Sequence, residues 1–303
     1  MNDARTQLEH LPGIKLDEPL AAHTTFQVGG PASYFISSND VPVIQKAVQL
    51  AAKAGLPVAA LGGGSNVLVA DAGFAGLIVQ LTSTYCAVHP DGTVVADAGT
   101  VLSRVVRSAI SANLTGIEFA VGIPGSFGGG LAGNAGTGGH GIAEYATQVT
   151  YLNAKGELRT CPRAELDVSY RYTRFKYANA EIILSGTLQL ATGTPTAIQA
   201  LVREAVERRS WQPKGAWCAG CVFKNPSGGH AGKIIEQAGL KGKKIGGAMV
   251  STDHANFVMN TGTATAEDIV ILISYVKQQV RDQLGVQLEE EVRYLGFDSK
   301  PSP

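Results

Sequence analysis

Two glycine clusters hold the most readable chemistry in this chain. Leu61-Gly62-Gly63-Gly64-Ser65-Asn66-Val67 is the first. The second is Gly122-Ile123-Pro124-Gly125-Ser126-Phe127-Gly128-Gly129-Gly130, followed by Asn134-Ala135-Gly136-Thr137-Gly138-Gly139. Backbone without side chains can approach a diphosphate closely and aim its N–H groups at the anion, and Ser65 and Asn66 can add side-chain hydrogen bonds. Either cluster alone fits a tight turn as well as a phosphate loop. The second lacks the Gly-Lys-Ser/Thr ending of a P-loop and does not match a strand-to-helix dinucleotide fingerprint. Two clusters in one chain suit a ligand with a diphosphate and an extended body, such as FAD. They also place a glycine excess, 37 of 303 residues, that otherwise reads as a turn-rich β protein.

Thiols and carboxylates come next. Cys218 and Cys221 form a C-x-x-C, while Cys86 and Cys161 stand alone, so no second pair completes a four-thiolate zinc site and no metal is expected. The pair precedes a strand-like Cys-Val-Phe instead of opening a helix, which argues against a thioredoxin-like redox motif. A disulfide formed there under oxidation stays open as an inhibitory event. Four cysteines are too few for a disulfide scaffold and fit a reducing compartment. Glu289-Glu290-Glu291, taken alone, reads as a solvated charge run.

The elements that must position these residues follow from periodicity. Asp40 caps an expected helix over Val41–Ala54, with Pro42 in its first turn and Gly55 as its stop, ahead of strands at Pro57–Leu61, Val67–Ala70 and Leu77–Gln80. Val94–Ala98 reads as a strand and Val101–Asn113 as a helix. Strands are expected at Gln148–Asn153, Glu157–Thr160 and Ile182–Leu190. A helix over Thr196–Ser210 ends at Trp211-Gln212-Pro213. Beyond it lie a short helix ending at Gly239, a long helix over Ala266–Leu284 begun by Thr265 with Asp268 three residues on, and a strand at Val292–Gly296 returning to an earlier sheet.

Charge balances at 25 basic and 25 acidic residues, so no global field draws nucleic acid or an anionic membrane surface. No stretch reads as membrane-spanning, the N-terminus lacks an apolar signal region, and a cytoplasmic enzyme is the default.

The loops, with Thr24-Thr25-Phe26-Gln27-Val28-Gly29-Gly30-Pro31-Ala32 upstream, resemble the FAD-binding part of the UDP-N-acetylenolpyruvoylglucosamine reductases. The resemblance continues through Tyr170-Arg171-Tyr172-Thr173, Ala219-Gly220-Cys221-Val222-Phe223-Lys224-Asn225-Pro226, His254-Ala255-Asn256-Phe257-Val258-Met259-Asn260 and Leu288-Glu289-Glu290-Glu291-Val292-Arg293-Tyr294-Leu295-Gly296, in family order. It covers about Leu20 to Gly296. The length resembles the shorter type of this family, which lacks a tyrosine-bearing substrate loop.

The resemblance implies an α+β fold: a two-domain FAD-binding region of the vanillyl-alcohol-oxidase/PCMH type and a C-terminal α/β substrate-binding domain. Residues 1–81 and 82–208 with 290–303 would form the two FAD-binding subdomains, the last strand returning to the second, and 209–289 the substrate domain. It implies noncovalent FAD, NADPH as reductant and UDP-N-acetylglucosamine enolpyruvate as substrate, reduced in peptidoglycan precursor synthesis. Cofactor contacts fall on Gly62, Gly63, Gly64, Ser65, Asn66, Gly122, Ile123, Pro124, Gly125, Gly129, Asn134 and Gly136. Arg293 is a further contact, or a structural salt bridge.

For the chemistry, the resemblance assigns Arg171 to the substrate carboxylate, where a planar fork binds two oxygens as enolate charge develops. Cys221 takes the proton-donor position, usually serine in the family; an unperturbed thiol, with a pKa of about 8.5, is mostly protonated at neutral pH. Glu291 takes the position of the catalytic glutamate, selected from its triplet only by motif register. Lys224, Asn225 and His254 are expected near the substrate diphosphate. Gly139-His140-Gly141 departs from a loop that more often holds an acidic residue. A flavin oxidase of the vanillyl-alcohol-oxidase class and a noncatalytic nucleotide-sugar binder are the alternatives.

Overall fold

The computed structural model describes residues 2–178, 180–213 and 215–297. The chain divides into two compact units. One contains the chain up to Asp17, Ser33–Gly63 and Ala75–Ser210; the other contains Glu18–Ala32, Gly64–Phe74 and the chain from Trp211 onward.

The first unit rests on two sheets. The smaller has the spatial order Ile14–Pro19, Pro31–Ser38, Phe74–Leu81, Val58–Ala60, the last two parallel. The helix Val41–Lys53 covers it because Ile44, Ala47, Val48 and Ala51 fall on one buried face, and Asp40 accepts the Val43 N–H as its cap. The larger sheet runs Leu158–Pro162, Ala146–Leu152, Ile182–Gln189, Thr93–Asp97, Cys86–Val88, antiparallel throughout. Leu152, Ile182 and Leu184 of this sheet share a buried cluster with Val58, Leu77 and Ile44. Val94, Val149 and Leu188 of the same sheet lie in a second buried cluster with Leu102, Val105 and Phe127.

The second unit has an antiparallel sheet ordered Trp217–Cys221, Phe257–Asn260, Ala248–Val250, Lys244–Ile245. The helix Ala266–Leu284 buries Ile269, Leu272, Ile273, Val276 and Val280. Its N-terminus carries the expected capping box between Thr265 and Asp268, and Asp71 also accepts the N–H groups of Ala266 and Glu267. Gly285 ends it at φ 67, a left-handed position that suits glycine.

Two expectations are corrected. The terminal strand, Arg293–Leu295, pairs in parallel with Val67–Val69 and lies in the second unit with Glu290, not with residues 82–208. Within the second glycine cluster, Phe127–Ala132 is a short helix capped by Ser126. Three glycines hide it from propensity, since each is about 1 kcal/mol worse than alanine in a helix. Packing is the compensation: a Cβ on Gly128 would meet Ala98 Cβ at 2.5 Å.

Candidate functional site

In the first unit the two glycine clusters meet backbone to backbone. A Cβ on Gly63 would lie 3.0 Å from Gly125 Cα, and one on Gly62 would collide with Ser126 Oγ. Gly122 and Gly125 have φ of 77 and 110, so their glycines are required by conformation as well as by space. These loops offer bare main chain over several residues, which is what a diphosphate cradle needs. The remaining loop residues, Gly64, Ser65 and Asn66, belong to the second unit, where Asn66 Oδ1 is buried without a hydrogen bond. The glycine cradle of the first unit fits the diphosphate of FAD. Ile123 and Pro124 lie in the same turn as Gly122 and Gly125. The Gly129 N–H donates to Ser126 Oγ, and Gly136 pairs with Gly141 in a two-residue hairpin.

The short helix is not itself an anion site. The N–H groups of Phe127 and Gly128 donate to Thr100 and Ala98, so its first turn is occupied by protein.

Arg171 stands on a turn fastened to this loop. Ser169 and Tyr172 exchange both backbone hydrogen bonds at 3.1 Å, leaving Tyr170 and Arg171 at the apex. Arg171 takes φ 56 there, a conformation that favours glycine and costs another residue roughly 1–2 kcal/mol. Neighbours hold it in place. Asn134 donates through Nδ2 to the Ser169 carbonyl at 2.9 Å and accepts the Ala143 N–H at 3.0 Å. Thr173 donates to the Ala132 carbonyl at 2.9 Å, and buried Lys176 donates to the Arg171 carbonyl at 2.8 Å. Asn134's amide thus ties the glycine loop to the arginine turn, a role its sequence position did not reveal. Thr173 and Lys176 were missed as well; only their closeness to Arg171 could have signalled them. His140 stacks on Phe119, with ring centroids 5.7 Å apart.

The second unit gathers Cys221, Lys224, Asn225, Glu291, Arg293, Asn66 and His254. The strand Trp217–Cys221 runs on into a ladder against the C-terminal segment: Phe223 bridges Glu290, Lys224 N–H donates to the Glu289 carbonyl at 2.8 Å, and Glu291 N–H donates to the Val222 carbonyl at 2.7 Å. Cys221 and Glu291 therefore belong to adjacent chain segments. Asn256 locks the Cys221 side, accepting the Phe223 N–H and donating to its carbonyl. Asn66 locks the other side through its amide to the Glu291 carbonyl at 3.3 Å and its own carbonyl to the Arg293 N–H at 3.1 Å.

The glutamates of the triplet differ in setting. Glu289 is exposed and ion-paired with Lys224, Glu290 is buried against Lys277 at 2.7 Å, and Glu291 is half-buried. Asn225 accepts the Ala231 N–H at 3.0 Å and so caps the helix Ala231–Gln237. His254 lies face to face with Trp211, centroids 4.5 Å apart, and edge-on to Phe257. Burial lowers its pKa, and the Asn256 N–H donates to its Nδ1, so the neutral ring carries its proton on Nε2.

All four cysteines are thiols, and burial raises Cys218. Among the described residues no cluster of His, Cys, Asp or Glu could hold a metal, and no helix is long and apolar enough to cross a membrane.

Residues 32–162 match the domain family described as FAD binding domain, and residues 212–295 match UDP-N-acetylenolpyruvoylglucosamine reductase, C-terminal domain. The UDP-N-acetylenolpyruvoylglucosamine reductase of Geotalea uraniireducens is 39% identical over 98% of this chain and 99% of its own length. That of Listeria monocytogenes is 39% identical over 98% and 100%. The crystal structure of the corresponding reductase from Thermus caldophilus superposes with a TM-score of 0.78 at 32% identity, covering 93% of this chain and 98% of that one. This chain belongs to the UDP-N-acetylenolpyruvoylglucosamine reductase family, an FAD-dependent group of α+β oxidoreductases in peptidoglycan synthesis.

Proposed function

We propose that this enzyme uses NADPH to reduce UDP-N-acetylglucosamine enolpyruvate to UDP-N-acetylmuramate in the cytoplasm, with Arg171, Cys221 and Glu291 acting on the enolpyruvyl group. The observation that supports the residue roles best is the ladder joining residues 222–224 to 289–291, which keeps a thiol and a carboxylate on adjacent segments. When bound, FAD would supply the redox chemistry, a hydride relay from NADPH to the terminal enolpyruvyl carbon.

The chain's residues handle charge and protons. Arg171 binds the substrate carboxylate through its fork and offsets negative charge as it grows there. Cys221 gives its thiol proton to the carbon next to that carboxylate. Glu291 orients the substrate beside the thiol. Lys224 binds the diphosphate by exchanging partners. Its present partner, Glu289, is 67% exposed, and a surface ion pair of that kind is worth at most about 1 kcal/mol, so a phosphate displaces it readily. Asn225 and neutral His254 contribute hydrogen bonds to the same group.

The test is an anaerobic spectrum of the holoenzyme, taken before NADPH, after NADPH and after the enolpyruvyl substrate. The flavin band bleaches with NADPH and returns with substrate. In Cys221→Ala the bleaching rate is unchanged while the return slows by about 10²-fold or more, and Cys221→Ser recovers much of it. Return at the wild-type rate in Cys221→Ala would remove the thiol from the mechanism. Bleaching without return in the wild type would remove the substrate.

A further inference from the structure

The segment Leu288-Glu289-Glu290-Glu291-Val292 alternates buried and accessible residues: Leu288, Glu290 and Val292 are 2%, 4% and 3% exposed, while Glu289 is exposed and Glu291 half-buried. A carboxylate thus occupies an inward position between two apolar residues. Left alone, it would be driven toward water, and in a strand a residue that turns outward carries its neighbours to the opposite face. Glu291 is that neighbour.

Lys277 faces the Glu290 carboxylate. It projects from the helix Ala266–Leu284, is itself 8% exposed, and its Nζ donates to Glu290 Oε1 at 2.7 Å within a core formed by Ile273, Val276, Val280, Leu288 and Val292. The charge of Glu290 is felt nearby: burial foremost, and then that charge, raises the Tyr294 hydroxyl. A buried ion pair is weak support for stability as such, and specifying a register is its best-attested use. Three consecutive glutamates need such a device, because residue type does not distinguish among them.

We propose that Lys277 is a positioning residue for Glu291: by neutralising Glu290 in the core, it fixes the 289–291 segment in the register that keeps Glu291 beside the Cys221 strand. The inference rests on the role given to Glu291 above, but its structural half can be read without turnover.

The test compares Lys277→Met with Lys277→Met/Glu290→Met as FAD-loaded full-length proteins. Amide exchange is followed at Lys224, Glu291 and Arg293, whose N–H groups bond the carbonyls of Glu289, Val222 and Asn66. In the single variant, protection at these amides falls at least tenfold, and the substrate half-reaction slows by a similar factor while reduction by NADPH is unchanged. In the double variant, with an apolar pair in the same place, protection and the substrate half-reaction return to within about threefold of wild type. Wild-type protection in the single variant overturns the proposal, and so does a folded double variant whose amides stay unprotected. If the single variant fails to fold, the double variant decides alone. Glu291→Gln, measured in parallel, separates the two claims: a normal substrate half-reaction there ends the role of Glu291, and amide exchange alone then decides whether Lys277 sets the register.

Discussion

Arg171 is where local strain and the proposed chemistry coincide. Its φ of 56 places a large side chain where glycine or asparagine is ordinarily found, and Lys176, Thr173 and Asn134 hold the turn there. Arg171→Asn relieves the backbone while removing the guanidinium. We expect it to raise the melting temperature by roughly 2–4 °C, the equivalent of about 1 kcal/mol in a chain of this size, and to lower kcat/KM by about 10²-fold or more. Arg171→Lys keeps the charge and the strained backbone but loses the fork, so its melting temperature stays at the wild-type value while its activity falls to an intermediate level. Thermal unfolding measured beside steady-state kinetics checks both; an Arg171→Asn protein no more stable than wild type would mean the turn is not strained. The arginine and the thiol were picked out as members of short motifs. The choice among Glu289, Glu290 and Glu291 was not legible, because it depends on Lys224 and Lys277, which lie 65 and 13 residues away from the glutamates they pair with.

The elements that present these residues were legible where one signal acted alone. The capping box at Thr265 and the apolar face of Val41–Lys53 fixed their helices closely, because cap and periodicity agree. The helix Phe127–Ala132 was not legible, since its glycines oppose helix formation and only contacts with Ala98 explain them. The same closeness predicts the cost of adding a methyl group between the loops. In Gly63→Ala, the new Cβ meets the backbone at Gly125 and Ser126. Overpacking of this kind costs about 1–3 kcal/mol, so FAD affinity falls by about 10–100-fold, measured by titrating apoprotein with FAD. Gly55→Ala is the control: nothing lies within 4 Å of its Cβ, and its φ of 68 makes the change destabilising without affecting FAD. His254 supplies a pH signature. Burial lowers its folded-state pKa below the unfolded value of about 6.5, so the unfolded chain binds more protons as pH falls below that value. The contribution is present above pH ~6.5 and is lost as pH drops toward the folded pKa. A melting-temperature profile should fall more steeply below pH ~6.5 in wild type than in His254→Phe, which keeps an aromatic ring against Trp211 but cannot titrate; parallel profiles would remove His254 as the cause.

For the whole molecule, the question is whether the C-terminal part is a folding unit. Residues 212–295 match a domain family by themselves, yet the compact unit containing them also takes Glu18–Ala32 and Gly64–Phe74, and the chain passes between the two units five times. The borrowed segments are not peripheral. Phe26, Val28 and Leu68 are 0%, 4% and 0% exposed in the same buried cluster as Val222, Val258, Ile273 and Val292. Asn260 donates to the Phe26 carbonyl at 2.9 Å, Asp71 caps the helix Ala266–Leu284, and Val67–Val69 is the partner of the terminal strand. Deleting a buried phenylalanine or leucine side chain typically costs about 2–5 kcal/mol, against a net stability of about 5–15 kcal/mol for a whole domain. Loss of three core side chains, a helix cap and a strand partner together exceeds that margin. A fragment beginning at Trp211 is therefore expected to lack a cooperative thermal transition and dispersed amide resonances, whereas the full chain shows both. A cooperative transition in the fragment would mean that the segments from Glu18–Ala32 and Gly64–Phe74 decorate a domain already able to fold, and that the caps and contacts they provide serve the site more than the core.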